Sequence, residues 1–172
     1  GDVDLIIATQ PVDTEAFACA ELYAEEMILV LPAKHPLAKA YDLPQDCRGN
    51  LPVLPISLLK DTPFIQMHSE QKLHHQLLSI CEEGGFTPKI YLQTRSMETA
   101  LTLASAGLGA TLMPMTLLRA FHPQTPPCFA ALPTRPCRHA LVAWRKKAYL
   151  SHAARAFIDS LVNYCRDKGD ES

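Results

Sequence analysis

Apolar residues fall along this chain in short runs separated by polar stretches rich in proline and glycine. The period within each run predicts its element. Val3 to Ala8 (VDLIIA) is a branched apolar run that predicts a buried, parallel strand. Phe17 to Tyr23 leads into Met27-Ile28-Leu29-Val30-Leu31, a second buried strand ended by Pro32, and Ala33 to Leu37 reads as a turn or short connector. Residues 41–55 set Pro44, Gly49, Pro52 and Pro55 among polar residues and read as loop, with at most a short strand near Val53-Leu54. Pro63 to Met67 (PFIQM) reads as a strand.

A helical period begins at Ser69 and runs to Glu83. Leu73, Leu77 and Ile80, with Leu78 and Cys81, share one side of it. Ser69 suits the N-cap, and Gly84-Gly85 permits a left-handed end. Pro88 to Gln93 predicts a strand, Met97 to Ala106 a helix stopped by Gly107, and Thr111 to Met113 a strand broken by Pro114. Met115 to Ala120 predicts a helical turn. Residues 122–138 hold five prolines and read as irregular chain around one strand at Phe129 to Leu132. His139 to Trp144 predicts a strand, and Ser151 to Cys165 a helix with Ala154, Phe157, Ile158, Leu161, Val162 and Cys165 as its stripe, followed by a frayed polar tail from Arg166 to Ser172. Alternating strands and helices predict an α/β architecture with mostly parallel sheets.

Composition narrows the classes. A chain of 172 residues allows one domain or two small lobes. A formal charge of −2 gives no general attraction to nucleic acid, so any contact with DNA is expected from another segment. No two of the six cysteines are spaced as C-x-x-C, so reduced, mostly buried thiols are expected. Cys137, flanked by Arg135 and Arg138, is the nearest to a redox-active environment. No apolar run approaches the roughly 20 residues of a membrane span, and no signal-peptide pattern opens the chain, which predicts a soluble, cytoplasmic protein with no membrane contact. The chain opens on Gly1 and enters a strand-like run at once, so a fragment is expected.

Catalytic patterns are missing. There is neither G-x-S-x-G nor a G-x-x-x-x-G-K phosphate loop, and Gly107-Leu108-Gly109 follows a helix instead of opening one. His74-His75 are adjacent on a helix and point about 100° apart, which is a poor arrangement for one metal. No enzyme activity, cofactor or metal is expected.

Three segments together carry a family resemblance. The first is Gly1 to Thr9 (GDVDLIIAT), and the second is Glu25 to Ala38 (EEMILVLPAKHPLA). The third comprises Phe86 to Ile90, Ser96 to Ala100 and Ala106 to Pro114 (AGLGATLMP). In order and spacing they resemble the effector domain of LysR-type transcriptional regulators. The resemblance implies a two-lobed α/β fold like type II periplasmic binding proteins, with a metabolite held between the lobes. It implies a partial first lobe at 1–34, a second lobe at 35–138, and a return strand and final helix at 139–172 that pack on the first lobe. The family's winged helix-turn-helix and the start of lobe one are not among these residues, so DNA is expected only through an absent N-terminal domain. A small organic anion is the implied effector, and a homodimer or tetramer the implied assembly, with the 69–83 helix resembling the dimer-forming element. Carried over by position, the implied ligand contacts are Thr9, His68, Ser69, Thr94 and Ser96, with Met67 and Arg95 beside them. The serines are equally suited to plain N-capping. The rival reading is a periplasmic solute-binding protein for a small anion.

Overall fold

Two patterns in succession make the longest strand. Mixed apolar and polar residues from Phe17 to Glu26 pass into five consecutive apolar ones, Met27 to Leu31, each fully buried; together they form β2 (Phe17–Leu31). The computed structural model describes residues 3–169. Gly1 and Asp2 of the first resemblance segment, and Asp170 to Ser172 of the polar tail, lie outside the described residues. The chain divides into two compact units, unit 1 with Gly1–Glu25 and Cys137–Ser172, and unit 2 with Glu26–Pro136. The division falls inside β2 and just after Pro136, where the sequence boundaries are 34/35 and 138/139.

In unit 1, β1 (Leu5–Thr9) pairs antiparallel with β7 (Cys137–Arg145), from Leu5 opposite Trp144 to Thr9 opposite Ala140. α5 (His152–Gly169) drives Ile158 into a cluster with Leu22, Ala140 and Val142, and Leu161, Val162 and Cys165 pack against it. Glu25 on β2 is buried and receives the guanidinium of Arg138 on β7 through both Nε and Nη2. Two expectations are corrected here. The VDLIIA run is neither parallel nor buried, because β1 ends the strand order and Ile7 stays 69% exposed. The final helix continues to Gly169, past the expected end at Cys165, since Arg166 and Lys168 are good helix formers.

Unit 2 is built on the buried half of β2. Side chains alternate across a strand, so Met27, Leu29 and Leu31 face one way and Ile28 and Val30 the other. The first set joins a cluster with Leu77, Ile80 and Cys81 of α2 (Lys72–Glu83). The second joins Ala100, Leu101 and Ala104 of α3 (Met97–Ser105) and Leu118 of α4 (Met115–Ala120). β5 (Thr111–Pro114) and β6 (Cys128–Ala130) both pair antiparallel with β2. The expectation of mostly parallel sheets is therefore corrected. A strand covered on both faces reads as an unbroken apolar run whichever way its neighbours point. The parallel ladder is that of β3 (Pro63–Met67) with β4 (Lys89–Thr94).

Short elements tie these layers together. His35 caps α1 (Pro36–Ala40), its Nδ1 accepting from Leu37 N–H at 3.3 Å while Nε2 meets Thr62 Oγ1 at 3.1 Å. Accepting at Nδ1 requires the neutral ring, and burial holds this histidine below its ordinary pKa. The A-G-L-G-A motif has a steric reason. Gly107 sits at φ 98° just past the end of α3, and Gly109 lets Ala110 N–H reach Pro63 O at 2.8 Å. A Cβ on Gly109 would stand 2.5 Å from that same oxygen. The motif thus seats β3 beside the start of β5.

Candidate functional site

β3 and β4 run parallel, so their C-terminal ends lie side by side, with Met67 opposite Thr94. His68 N–H continues the ladder to Thr94 O at 2.9 Å. The chain leaves β3 through a turn, Gln71 N–H donating to His68 O at 2.9 Å, before α2 begins. It leaves β4 directly into α3. In α/β units the C-terminal ends of parallel strands, with helix N-termini beside them, are where ligands collect.

Four of the five expected contacts meet at this edge: half-buried His68 and Thr94, and exposed Ser69 and Ser96. Thr9 belongs to unit 1, half-buried at the end of β1. Ser96 is the N-cap of α3, its Oγ accepting from Thr99 N–H at 3.2 Å, and Thr94 Oγ1 accepts from Ser96 N–H at 3.2 Å. Both hydroxyl groups are thus already engaged with backbone. The first-turn N–H groups of Met97 and Glu98 have no acceptor inside the helix. Ser69 does not cap α2, which corrects that expectation. Gln71 holds the N-cap position, because the 68–71 turn is closed before the helix starts. Arg95 is exposed and paired with Glu70 at 3.3 Å.

Two glutamines that carry no motif, Gln66 and Gln71, also belong to this edge. Gln66 is 1% exposed, the one polar residue in the buried part of β3. Its Nε2 donates to His74 O at 3.2 Å, while its Oε1 is buried without a hydrogen-bond partner. His68 Nδ1 and Gln71 Oε1 are in the same condition, the nearest carboxylate oxygen to His68 being Glu70 Oε2 at 3.7 Å. Gln71 Nε2 donates to Arg95 O at 3.1 Å, which links the two loops. Three orphaned polar atoms thus fall within six residues. A lone glutamine inside PFIQM was the available signal. His74 serves structure, its Nδ1 lying 3.1 Å from Met67 O with its ring edge-on to His75.

The thiols divide by burial. Desolvation pushes Cys81 up to about 11 and also raises Cys47 and Cys128, so all three stay protonated near neutrality. Cys19 and Cys137 are exposed, and there is no disulfide among the described residues.

The model of the LysR substrate-binding domain matches residues 1–166. The chain belongs to that family. Over all 172 residues the LysR substrate-binding domain is 27% identical to an uncharacterised HTH-type transcriptional regulator, YwbI, of Bacillus subtilis (strain 168), covering 54% of it. The chain spans about half the length of the curated relatives it matches. In fold it is similar to the CcmR regulatory domain of Synechocystis PCC6803, solved in complex with 2-PG, at a TM-score of 0.77 and 18% identity, covering 95% of this chain and 74% of that one. It is also similar to the effector-binding domain of QuiR in complex with shikimate, at 0.76 and 21%, covering 95% and 72%. The two-lobed periplasmic-binding-protein-like fold is therefore that of the LysR substrate-binding domain, a regulatory unit and not an enzyme. No helix among the described residues is long and apolar enough to cross a membrane.

Proposed function

We propose that this LysR substrate-binding domain holds a small organic anion at the β3–β4 edge and reports its presence to the rest of a regulator. The observation that carries the reading is the trio of buried, unpartnered atoms: Gln66 Oε1, His68 Nδ1 and Gln71 Oε1. An orphaned buried polar atom costs about 1–3 kcal/mol, which a ligand or water with matching groups recovers. The two oxygens ask for donors, and the α3 N-terminus favours negative charge, so a hydroxylated acid matches both. Glu98 in the first turn of α3 and Glu70 beside Arg95 oppose an anion, and hydroxyl donors offset part of that repulsion. The CcmR and QuiR complexes with 2-PG and shikimate support a small polar ligand for this fold.

On this reading units 1 and 2 correspond to the two lobes of the family, and binding shifts the balance between two states of the domain. The intact protein is then a homodimer or tetramer that reaches DNA through a separate N-terminal domain and acts in the cytoplasm. A ligand shifts such a balance only by its differential affinity for the two states.

Thermal-shift titration with hydroxy acids, 2-PG and shikimate among them, and with their uncharged amides tests the reading. An acid at a hundred times its Kd stabilises the fold by about 2.7 kcal/mol. Gln66→Leu and Thr94→Val are expected to weaken binding about tenfold while leaving a folded domain. Equal affinity for acid and amide would remove the anion from the reading. Affinity untouched by both substitutions would remove the site.

A further inference from the structure

A ligand-sized cavity lies wholly within unit 2, on segments that contribute nothing to the β3–β4 edge. Its volume is about 260 Å³, and its walls come from the 45–48 loop, the end of α4 and the proline-rich 121–129 stretch. Drug-sized ligands occupy roughly 300–1,000 Å³, so this hollow suits a smaller molecule. Apolar surface dominates it: Leu118, Phe121 and Phe129 with Pro123, Pro126 and Pro127. Cys47 adds a thiol that burial keeps neutral.

Its walls are braced. Gln45 Nε2 donates to Pro126 O at 3.1 Å and Phe129 N–H to Pro44 O at 2.9 Å, so the loop and the proline stretch are tied to each other across the hollow. Three prolines limit what the far wall can do on its own. A hollow held open in this way has already lost the conformational freedom that a flexible site loses on binding.

Charge is placed at the rim. Arg48 is engaged with Asp46 at 3.7 Å, both well exposed. Arg119 lines the same hollow, and among the described residues it has no carboxylate within ion-pair distance. His122, just past the end of α4, lines it too. The hollow therefore offers an apolar body with aromatic faces and one uncompensated guanidinium. That combination selects a molecule with a flat or branched apolar part and a single carboxylate.

We propose that this hollow is a second binding site, separate from the β3–β4 edge, for a small amphipathic monocarboxylate whose apolar part packs on Phe121 and Phe129 and whose acid group pairs with Arg119. The two sites ask for different chemistry. The edge presents unpartnered oxygens to a hydroxylated acid, and the hollow presents hydrocarbon to an aryl or alkyl acid.

Phenylacetate serves as the probe, with phenylacetamide and acetate as partial mimics that lack the charge or the ring. Amide shifts of the ¹⁵N-labelled full chain read both sites at once. Phenylacetate is expected to shift residues 45–48 and 118–122 saturably, with little change at 66–71 and 94–99. Phenylacetamide, acetate and the Arg119→Gln variant are each expected to bind at least tenfold more weakly. Arg119 is exposed, so the variant keeps the fold, which its own spectrum checks. Shifts confined to 66–71 and 94–99, or none at 45–48 and 118–122, overturn the second site. Equal affinity for acid and amide, or for the parent chain and Arg119→Gln, overturns the assigned chemistry. The failure of the edge reading is seen separately, as hydroxy acids that leave 66–71 unmoved.

Discussion

Replacing Gly109 with alanine adds one methyl group, at a place where the backbone leaves no room for it. The new Cβ would stand 2.5 Å from Pro63 O and 3.0 Å from its carbonyl carbon. Neither atom can step aside alone. Pro63 O accepts from Ala110 N–H at 2.8 Å, and Ile65 N–H donates to Ala110 O at 2.8 Å, so β3 and the residue after Gly109 are fastened together. Relief requires sliding one strand against the other. Overpacking costs about 1–3 kcal/mol, and a backbone clash belongs in the upper part of that range. Restricting the unfolded chain returns about 0.4–1 kcal/mol. The net loss is then about 2 kcal/mol, and at 2–4 °C per kcal/mol for a domain of this size, Tm falls by roughly 4–8 °C. Gly49→Ala is the control. It takes φ 85° with nothing within 4 Å of the new methyl, so it carries backbone strain alone, about 1 kcal/mol before the same offset. Thermal and urea unfolding followed by circular dichroism compares the two. A Gly109→Ala chain as stable as the parent, or Gly49→Ala costing the more of the two, would refute the close-approach argument.

Three further outcomes are expected. Arg138→Ala takes the guanidinium away from the buried carboxylate of Glu25, a loss of about 3–5 kcal/mol in urea unfolding, whereas Arg135→Ala, which breaks a more exposed pair with Glu26, costs about 0–1 kcal/mol. His35 has a folded pKa below its ordinary 6.5, so its contribution to stability is present above that value and is lost as pH falls below it. His35→Asn keeps a capping side chain and should flatten that part of the stability–pH profile; a profile of unchanged slope would count against the neutral-ring cap. Brief treatment of the native chain with iodoacetamide is expected to label Cys19 and Cys137, with Cys47, Cys81 and Cys128 labelled only after unfolding, as read by peptide mass mapping.

Much of this architecture is legible in the one-dimensional pattern. The period at Leu73, Leu77, Ile80 and Cys81 marks both a helix and the face it buries. Met27 to Leu31 announces a strand covered on both sides, yet an unbroken apolar run carries no sign of direction, which is why antiparallel partners were unforeseen. VDLIIA misled for a related reason. Branched apolar residues favour a strand wherever it lies, and position in the sheet decides whether it is covered. At the candidate site, the family resemblance, carried over by position, named His68, Ser69, Thr94 and Ser96 together with Thr9. It could not separate a cap from a contact, because both need a hydroxyl ahead of a helix. Gln66 stands out only as a lone glutamine inside PFIQM, and what marks both it and Gln71 is an atom lacking a partner, a property of three dimensions.

Met27 to Leu31 sends its side chains alternately into two separate cores. Inserting or deleting a single residue there would exchange the two cores' contents for every position beyond it, whereas a two-residue change would keep the faces but displace each side chain by about 6.6 Å along the strand. The 41–50 loop and the 121–127 stretch lie outside any strand and face no such parity constraint. Length variation among chains of this fold should therefore gather in those loops and be missing from the five residues between Glu26 and Pro32. An engineer wishing to lengthen or splice this protein should cut in the loops.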